Sequence, residues 1–160
     1  MKEAFAILKA EIKEEISQLD KVKTEYEALW QRVNLENPTR DEVILIGFHL
    51  HNFYNGSENI FRLIVRFFEN DLPPLTWHDE LLKRMMLEIE GIRLQVIDRP
   101  LFKKLDEFRK FRHVFRSVYS FELDWEKMKL VARVFDETYK DFVEAVTRFL
   151  EKMEKAIAGG

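Results

Sequence analysis

Between positions 109 and 116 the chain carries four basic side chains, Arg109, Lys110, Arg112 and Arg116, and no acid. On a helix advancing about 100° per residue, Arg109, Arg112, His113 and Arg116 share one face, bordered by Tyr119 and Ser120. Phe108, Phe111, Val114, Phe115 and Val118 fall in a separate arc. A guanidinium fork donates two parallel hydrogen bonds to a phosphate. Three arginines on one face beside His113 and Tyr119 therefore make a candidate anion site, with Tyr119 suited to stack on a base or donate to a phosphate. The competing reading is a solvated basic face, or one neutralised by acids on neighbouring helices such as Glu58 and Glu122. The window 99–120 carries +5 on a chain of net charge −3, which leaves −8 for the rest. The whole chain exerts no global pull on nucleic acid, so any such attraction is local.

A second polar set is His49, His51, Asn52, Asn55, Glu58 and Asn59, within an otherwise apolar stretch. His51, Asn55, Glu58 and Arg62 follow at spacings of four, three and four, which puts them on one helical face. Polar side chains on a central helix are either partnered or line a cleft, so His51, Asn55 and Glu58 are candidate cleft residues or satisfied core residues. Metal binding is not expected. His49 and His51 point to different sides, and neither His-x-x-x-His nor Glu-x-x-His occurs on one face. No Gly-rich phosphate loop, nucleophile elbow or paired-carboxylate signature is present, so no cofactor is expected either.

Helices must position these residues. Only five Gly and four Pro in 160 residues argue against a sandwich or barrel. The absence of Cys excludes disulfide scaffolds, zinc fingers and cysteine nucleophiles, and fits a reducing cytoplasm. No run is apolar enough to span a membrane, and the start, Met1-Lys2-Glu3-Ala4-Phe5, lacks a signal-peptide core. The apolar series Phe5, Leu8, Ile12, Ile16, Leu19, Val22, Tyr26, Leu29 and Val33 predicts one amphipathic helix over residues 2 to 34. Thr39-Arg40-Asp41-Glu42 has capping-box form and opens a second, central helix running to Asn70, before Leu72-Pro73-Pro74. Gly56 on it is a close-packing position. A short helix follows, with Thr76 as N-cap and Gly91 as stop. Asp98-Arg99-Pro100 opens a helix to Ser120, and Asp124 caps a last helix with the stripe Met128, Val131, Phe135, Tyr139, Phe142, Val146, Phe149 and Met153. The expectation is an all-α, five-helix bundle of four long helices and one short, forming a single domain over residues 1–157 with a frayed tail at 158–160.

The stretch Phe111-Arg112-His113-Val114-Phe115-Arg116-Ser117-Val118-Tyr119 resembles the signature of the HEPN superfamily, and of HepT-like proteins in particular. That signature is Arg, a polar residue, three further residues and His, often with Tyr two beyond. His49-Leu50-His51-Asn52-Phe53-Tyr54-Asn55-Gly56 with Glu58, Ile60 and Phe61, then Trp77-His78-Asp79-Glu80-Leu81-Leu82 and Phe121-Glu122-Leu123-Asp124, also resemble HepT-like segments. The likeness spans residues 40 to 135.

The resemblance implies a homodimeric bundle whose signature helices face each other across a cleft. Active members are metal-independent ribonucleases acting as toxins. A minimal nucleotidyltransferase antitoxin restrains them by binding or by adenylylating the signature tyrosine. Carried over by position, Arg112 matches the motif arginine, His113 the polar residue and Tyr119 the modified tyrosine. Ser117 stands where the histidine belongs. Serine titrates far too high to act unaided as a general base, so Arg112, His113 and Ser117 are the candidate catalytic set, with His113 a possible replacement. Arg109, Arg116 and Tyr119 are the candidate RNA-binding set. Two functions follow: an RNA-cleaving toxin, or a nuclease-inactive module that binds RNA or nucleotide or serves only as the transferase's partner. A third reading, a structural helical interaction protein with its arginines paired to acids across the dimer, stays open.

Overall fold

The structure, a computed structural model, describes residues 1–70, 74, 77–119 and 122–160. Its described elements are six helices: α1 (Lys2–Arg32), α2 (Arg40–Glu69), α3 (His78–Arg84), α4 (Arg99–Ser117), α5 (Trp125–Arg133) and α6 (Phe135–Gly159). One isolated bridge, Ile89 with Arg93, is the sole extended pairing among the described residues.

The local signals explain most boundaries. Thr39 and Glu42 form a reciprocal capping box: Thr39 Oγ1 accepts from the Glu42 N–H at 3.2 Å, and Glu42 Oε1 accepts from the Thr39 N–H at 2.9 Å. Asp98 accepts from the Leu101 N–H at 2.9 Å and starts α4. Asn70 closes α2 in a left-handed conformation that asparagine tolerates. Thr76 lies outside the described residues, as do Ser120, Phe121 and most of the Leu72-Pro73-Pro74 segment.

Besides α4, which ends at Ser117 and not at Ser120, with Val118 already extended, three boundaries differ from expectation. The final helix is two, giving six helices rather than five. It breaks at Val134, where the backbone leaves helical geometry. Neither Pro nor Gly stands there. Instead the Tyr26 hydroxyl, buried on α1, donates to the Ala132 carbonyl at 2.7 Å and satisfies an acceptor that a continuous helix would use internally. Second, α3 stops at Arg84, seven residues before Gly91. The buried Arg93 guanidinium takes the Arg84 carbonyl at 3.1 Å and the Leu87 carbonyl at 2.9 Å, while Gly91 (φ +75°) forms the turn between Ile89 and Arg93. Third, α6 stays helical to Gly159, past the Ile157 end expected of it.

α2 is the central element, with buried residues from Val43 to Val65. It runs antiparallel to α1, since Leu19 packs on Gly56 while Glu11 pairs with Arg66 further along. A Cβ on Gly56 would lie 2.4 Å from Leu19 Cδ2, so the two helices approach closely there. α2 is not buried all round, because Leu45 (44%) and Phe48 (49%) are exposed. Phe53 is the hub of the core, with its ring 5.1 Å from Phe108 of α4 and 5.0 Å from Phe135 of α6. The α2–α4 register fixed by that contact brings the two polar sets together.

Candidate anion and proton-transfer site

Arg112 is the meeting point. Its Nε donates to Oδ1 of Asn55 at 2.6 Å, and its Nη1 lies 3.3 Å from Nε2 of His78. Glu58 Oε1 stands 3.9 Å from the same Nε. Both Glu58 oxygens lie on the other ring nitrogen of His78, Nδ1, at 2.7 and 2.8 Å. On the far side, Asn55 Nδ2 is 2.9 Å from His51 Nε2. Three helices thus contribute to one chain of contacts: His51, Asn55 and Glu58 from α2, His78 from α3 and Arg112 from α4.

Donor chemistry orients the whole chain. Arginine has no acceptor, so Asn55 must present its oxygen to Arg112 and its amide hydrogens to His51. His51 Nε2 is then an acceptor and its ring is neutral. Burial, then Arg112, then Arg116 push the His51 pKa below its ordinary value, in the same direction. The same reasoning assigns His78 Nε2 as an acceptor facing Arg112, with Nδ1–H donating to Glu58.

The Arg112 guanidinium is incompletely neutralised. Burial lowers its pKa, Glu58 opposes that, and Arg116 lowers it again, for a net downward direction. No acceptor for its Nη2 exists among the described residues. An anion would relieve that imbalance. Two polar atoms near the chain are also buried without a partner among the described residues: His51 Nδ1 and the Tyr54 hydroxyl. The Tyr54 pKa is pushed up by burial first, then by Glu58 and Asp106 against Arg109 and Arg112, which places its phenol within the field of the site.

The remaining sequence-predicted residues are not brought into one cluster. Arg109 is paired with acids: its Nε donates to Asp106 at 2.7 Å and its Nη2 stands 3.8 Å from Asp79. Burial acts to lower its pKa and is outweighed by Asp106 and Asp79, so the net direction is up. The acids that pair with Arg109 are thus Asp106 and Asp79, while Glu58 pairs with Arg112 of the same face. Arg116 is exposed, acts electrostatically on Arg112 and His51, and pairs with no carboxylate among the described residues. The Ser117 hydroxyl donates to the His113 carbonyl at 2.6 Å, a bond within its own helix. The His113 side chain is exposed. Tyr119 is 71% exposed just beyond the end of α4.

His78 is the site residue that the residue-by-residue sequence reading missed. A buried carboxylate on α2 demands a counterpart, but nothing local in Trp77-His78-Asp79 says that this imidazole supplies it. Phe115, on the apolar arc of α4, closes the other end of the site: its ring is 5.2 Å from that of His51 and lies over Gly47. Among the described residues no group of three or more His, Asp or Glu side chains is placed to hold a metal ion. No helix of the described residues is long and apolar enough to cross a membrane.

The chain gives no match to curated proteins or to solved structures. A family model described as HepT-like protein matches residues 45–153, from the exposed edge of α2 to the penultimate turns of α6 and so through every residue of the site. This chain belongs to the HepT-like family.

Proposed function

We propose that this chain is the RNA-cleaving, toxin-type member of a HepT-like pair, acting on a phosphodiester held by Arg112 and Arg116. The observation that carries this is the state of Arg112: anchored by Asn55, incompletely neutralised, with Nη2 unspent among the described residues. A structural arginine would be fully paired, as Arg93 is with Glu69 and three backbone carbonyls. Arg116 adds an exposed second cation on the same side of α4. The fold family favours a homodimer, and Leu45, Phe48 and Val114 (47% exposed) supply an apolar surface beside the site for a second copy. In such a dimer two copies of α4 would bring their arginines to one cleft. A minimal nucleotidyltransferase is the proposed antitoxin, by binding or by adenylylation of Tyr119.

Cleavage without a metal needs a group to carry the 2′-hydroxyl proton and cations to hold the phosphorane-like transition state. The arginines serve the second need. The first falls to an imidazole, since Ser117 is committed to a carbonyl of its own helix.

Ser117 is also the observation that favours the second reading, a nuclease-inactive module that binds RNA or nucleotide, or only its transferase partner. Titration of single-stranded RNA at increasing salt, with wild type and R112A/R116A, tests the shared part. Expected is salt-sensitive binding whose slope falls in the double variant. Undetectable binding by wild type at low salt refutes the RNA-cleaving reading and the RNA-binding form of the second, and leaves only the partner role. Growth arrest on expression of the chain alone separates the toxin from the inactive module.

A further inference from the structure

We infer that Glu58 and His78 form a carboxylate–imidazole pair that performs the proton transfer for RNA cleavage, His78 Nε2 taking the 2′-hydroxyl proton of a phosphodiester held by Arg112. The inference rests on the RNA-cleaving reading and deepens it by naming the group that Ser117 is not.

Four observations converge on His78. Its Nδ1 is fixed by both oxygens of a carboxylate whose side chain is only 6% exposed, so the ring cannot turn without stranding a buried charge. This is how carboxylates hold imidazoles in one tautomer in catalytic and metal sites alike. The opposite nitrogen, Nε2, carries its lone pair, because the group that faces it among the described residues is the donor Nη1 of Arg112 at 3.3 Å. That contact is long for a hydrogen bond and is readily exchanged. An incoming phosphate draws Nη1 to itself and leaves Nε2 beside the phosphate with an unspent lone pair. His78 is also reachable, with its side chain 27% exposed. Finally, the Tyr54 hydroxyl, without a partner among the described residues, lies in the field of Glu58 and Arg112. His113, by contrast, has no carboxylate holding it and is exposed on α4.

The step balances as follows. Nε2 accepts the O2′ proton while the O2′–P bond forms. Arg112 neutralises the charge that builds on the phosphorus oxygens. The P–O5′ bond breaks, O5′ takes a proton from water, and His78 returns its own proton to solvent. The products are a 2′,3′-cyclic phosphate and a 5′-hydroxyl. Glu58 touches no substrate atom; it is a positioning residue that holds the ring in the tautomer presenting Nε2.

The test uses the purified full chain with a labelled single-stranded RNA in EDTA. H78Q is expected to lower kcat by about 10²–10⁴-fold with RNA affinity little changed. Added imidazole is expected to restore part of the rate to H78A. E58Q is expected to lower kcat with KM little changed, because the ring is no longer held in the tautomer that presents Nε2; a purely packing role would not split the two. Among the described residues the charged groups in contact with His78 are Glu58 from α2 and Arg112 from α4, and R112K reads the second separately. Circular dichroism melts of each variant show whether the fold is kept. A wild-type protein that cleaves, with H78Q cleaving at the same rate, overturns the inference alone. So does a loss in H78A that tracks loss of RNA affinity and is not restored by imidazole. A wild-type protein that binds RNA without cleaving it removes the RNA-cleaving reading, and the inference with it.

Discussion

Arg112 on α4 donates from Nε to Oδ1 of Asn55 on α2 at 2.6 Å, and that bond fixes the polarity of the network around it. Because arginine only donates, Asn55 must offer amide hydrogens to His51, and His51 must accept. Replacing Asn55 by Ala leaves a half-buried charged donor without its acceptor. The expected cost is about 1–3 kcal/mol in urea unfolding, together with weaker RNA binding, because Arg112 loses its anchor. An N55A protein with wild-type stability and wild-type affinity would contradict the anchoring role.

The second prediction concerns acid stability. Burial pushes the pKa values of His49 and His51 down; Arg112 and Arg116 add to this for His51, while Glu25 opposes it for His49. The unfolded chain protonates them near the ordinary value of about 6.5. Between the folded and unfolded values the unfolded state therefore binds more protons, so stability rises with pH across that window and is lost as pH falls below about 6.5. The melting temperature is expected to drop from pH 7 to pH 5, and to drop less in an H49Q/H51Q variant. Equal slopes in the two proteins would refute it.

The third follows from the Tyr26 hydroxyl on the Ala132 carbonyl, which holds the α5–α6 break. Y26F removes the donor and strands a buried acceptor, at an expected cost of about 1–3 kcal/mol by thermal or urea unfolding. RNA binding should be unaffected, since Tyr26 lies on α1, away from the Arg112 network. A Y26F protein as stable as wild type would leave the break without this explanation.

The fourth addresses assembly. Leu45 and Phe48 project from α2 and Val114 from α4 as exposed apolar side chains. Sedimentation of wild type is expected to give a dimer, and L45E/F48E a folded monomer with impaired RNA cleavage. A wild-type monomer at micromolar concentration would refute the dimer cleft.

The fifth concerns Tyr119, 71% exposed past the end of α4. Adenylylation there adds negative charge beside Arg116 and Arg112 and competes with RNA by the same electrostatics as phosphorylation. Intact-mass measurement after co-expression with a minimal nucleotidyltransferase should show adenylyl groups on wild type and none on Y119F. Neutralisation with Tyr119 unmodified would leave binding as the antitoxin's mode.

Much of this was legible in the chain because it depends on local patterns. The capping box at Thr39–Glu42, the Asp98 start and the α1 stripe are short-range signals, and the helices obey them. The i, i+3, i+4 spacing of His51, Asn55 and Glu58 marked one polar face of α2, and all three lie in the Arg112 network. What the pattern could not carry was tertiary. His78 joins Glu58 from a different helix, Arg93 ends α3 from nine residues downstream, and Tyr26 interrupts a helix more than a hundred residues away. Arg109 illustrates the limit on one helix face. It shares a helix face with Arg112, yet Asp106 one turn earlier and Asp79 on α3 engage it.

The most direct measurement of the central claim is product analysis of a labelled RNA incubated in EDTA with wild type and with R112A. Wild type should yield fragments ending in 2′,3′-cyclic phosphate, and R112A, still folded by circular dichroism, should yield at least about a hundredfold less per unit time. Intact RNA with wild type, or equal cleavage by the two proteins, would contradict an arginine-held phosphate as the centre of the chemistry.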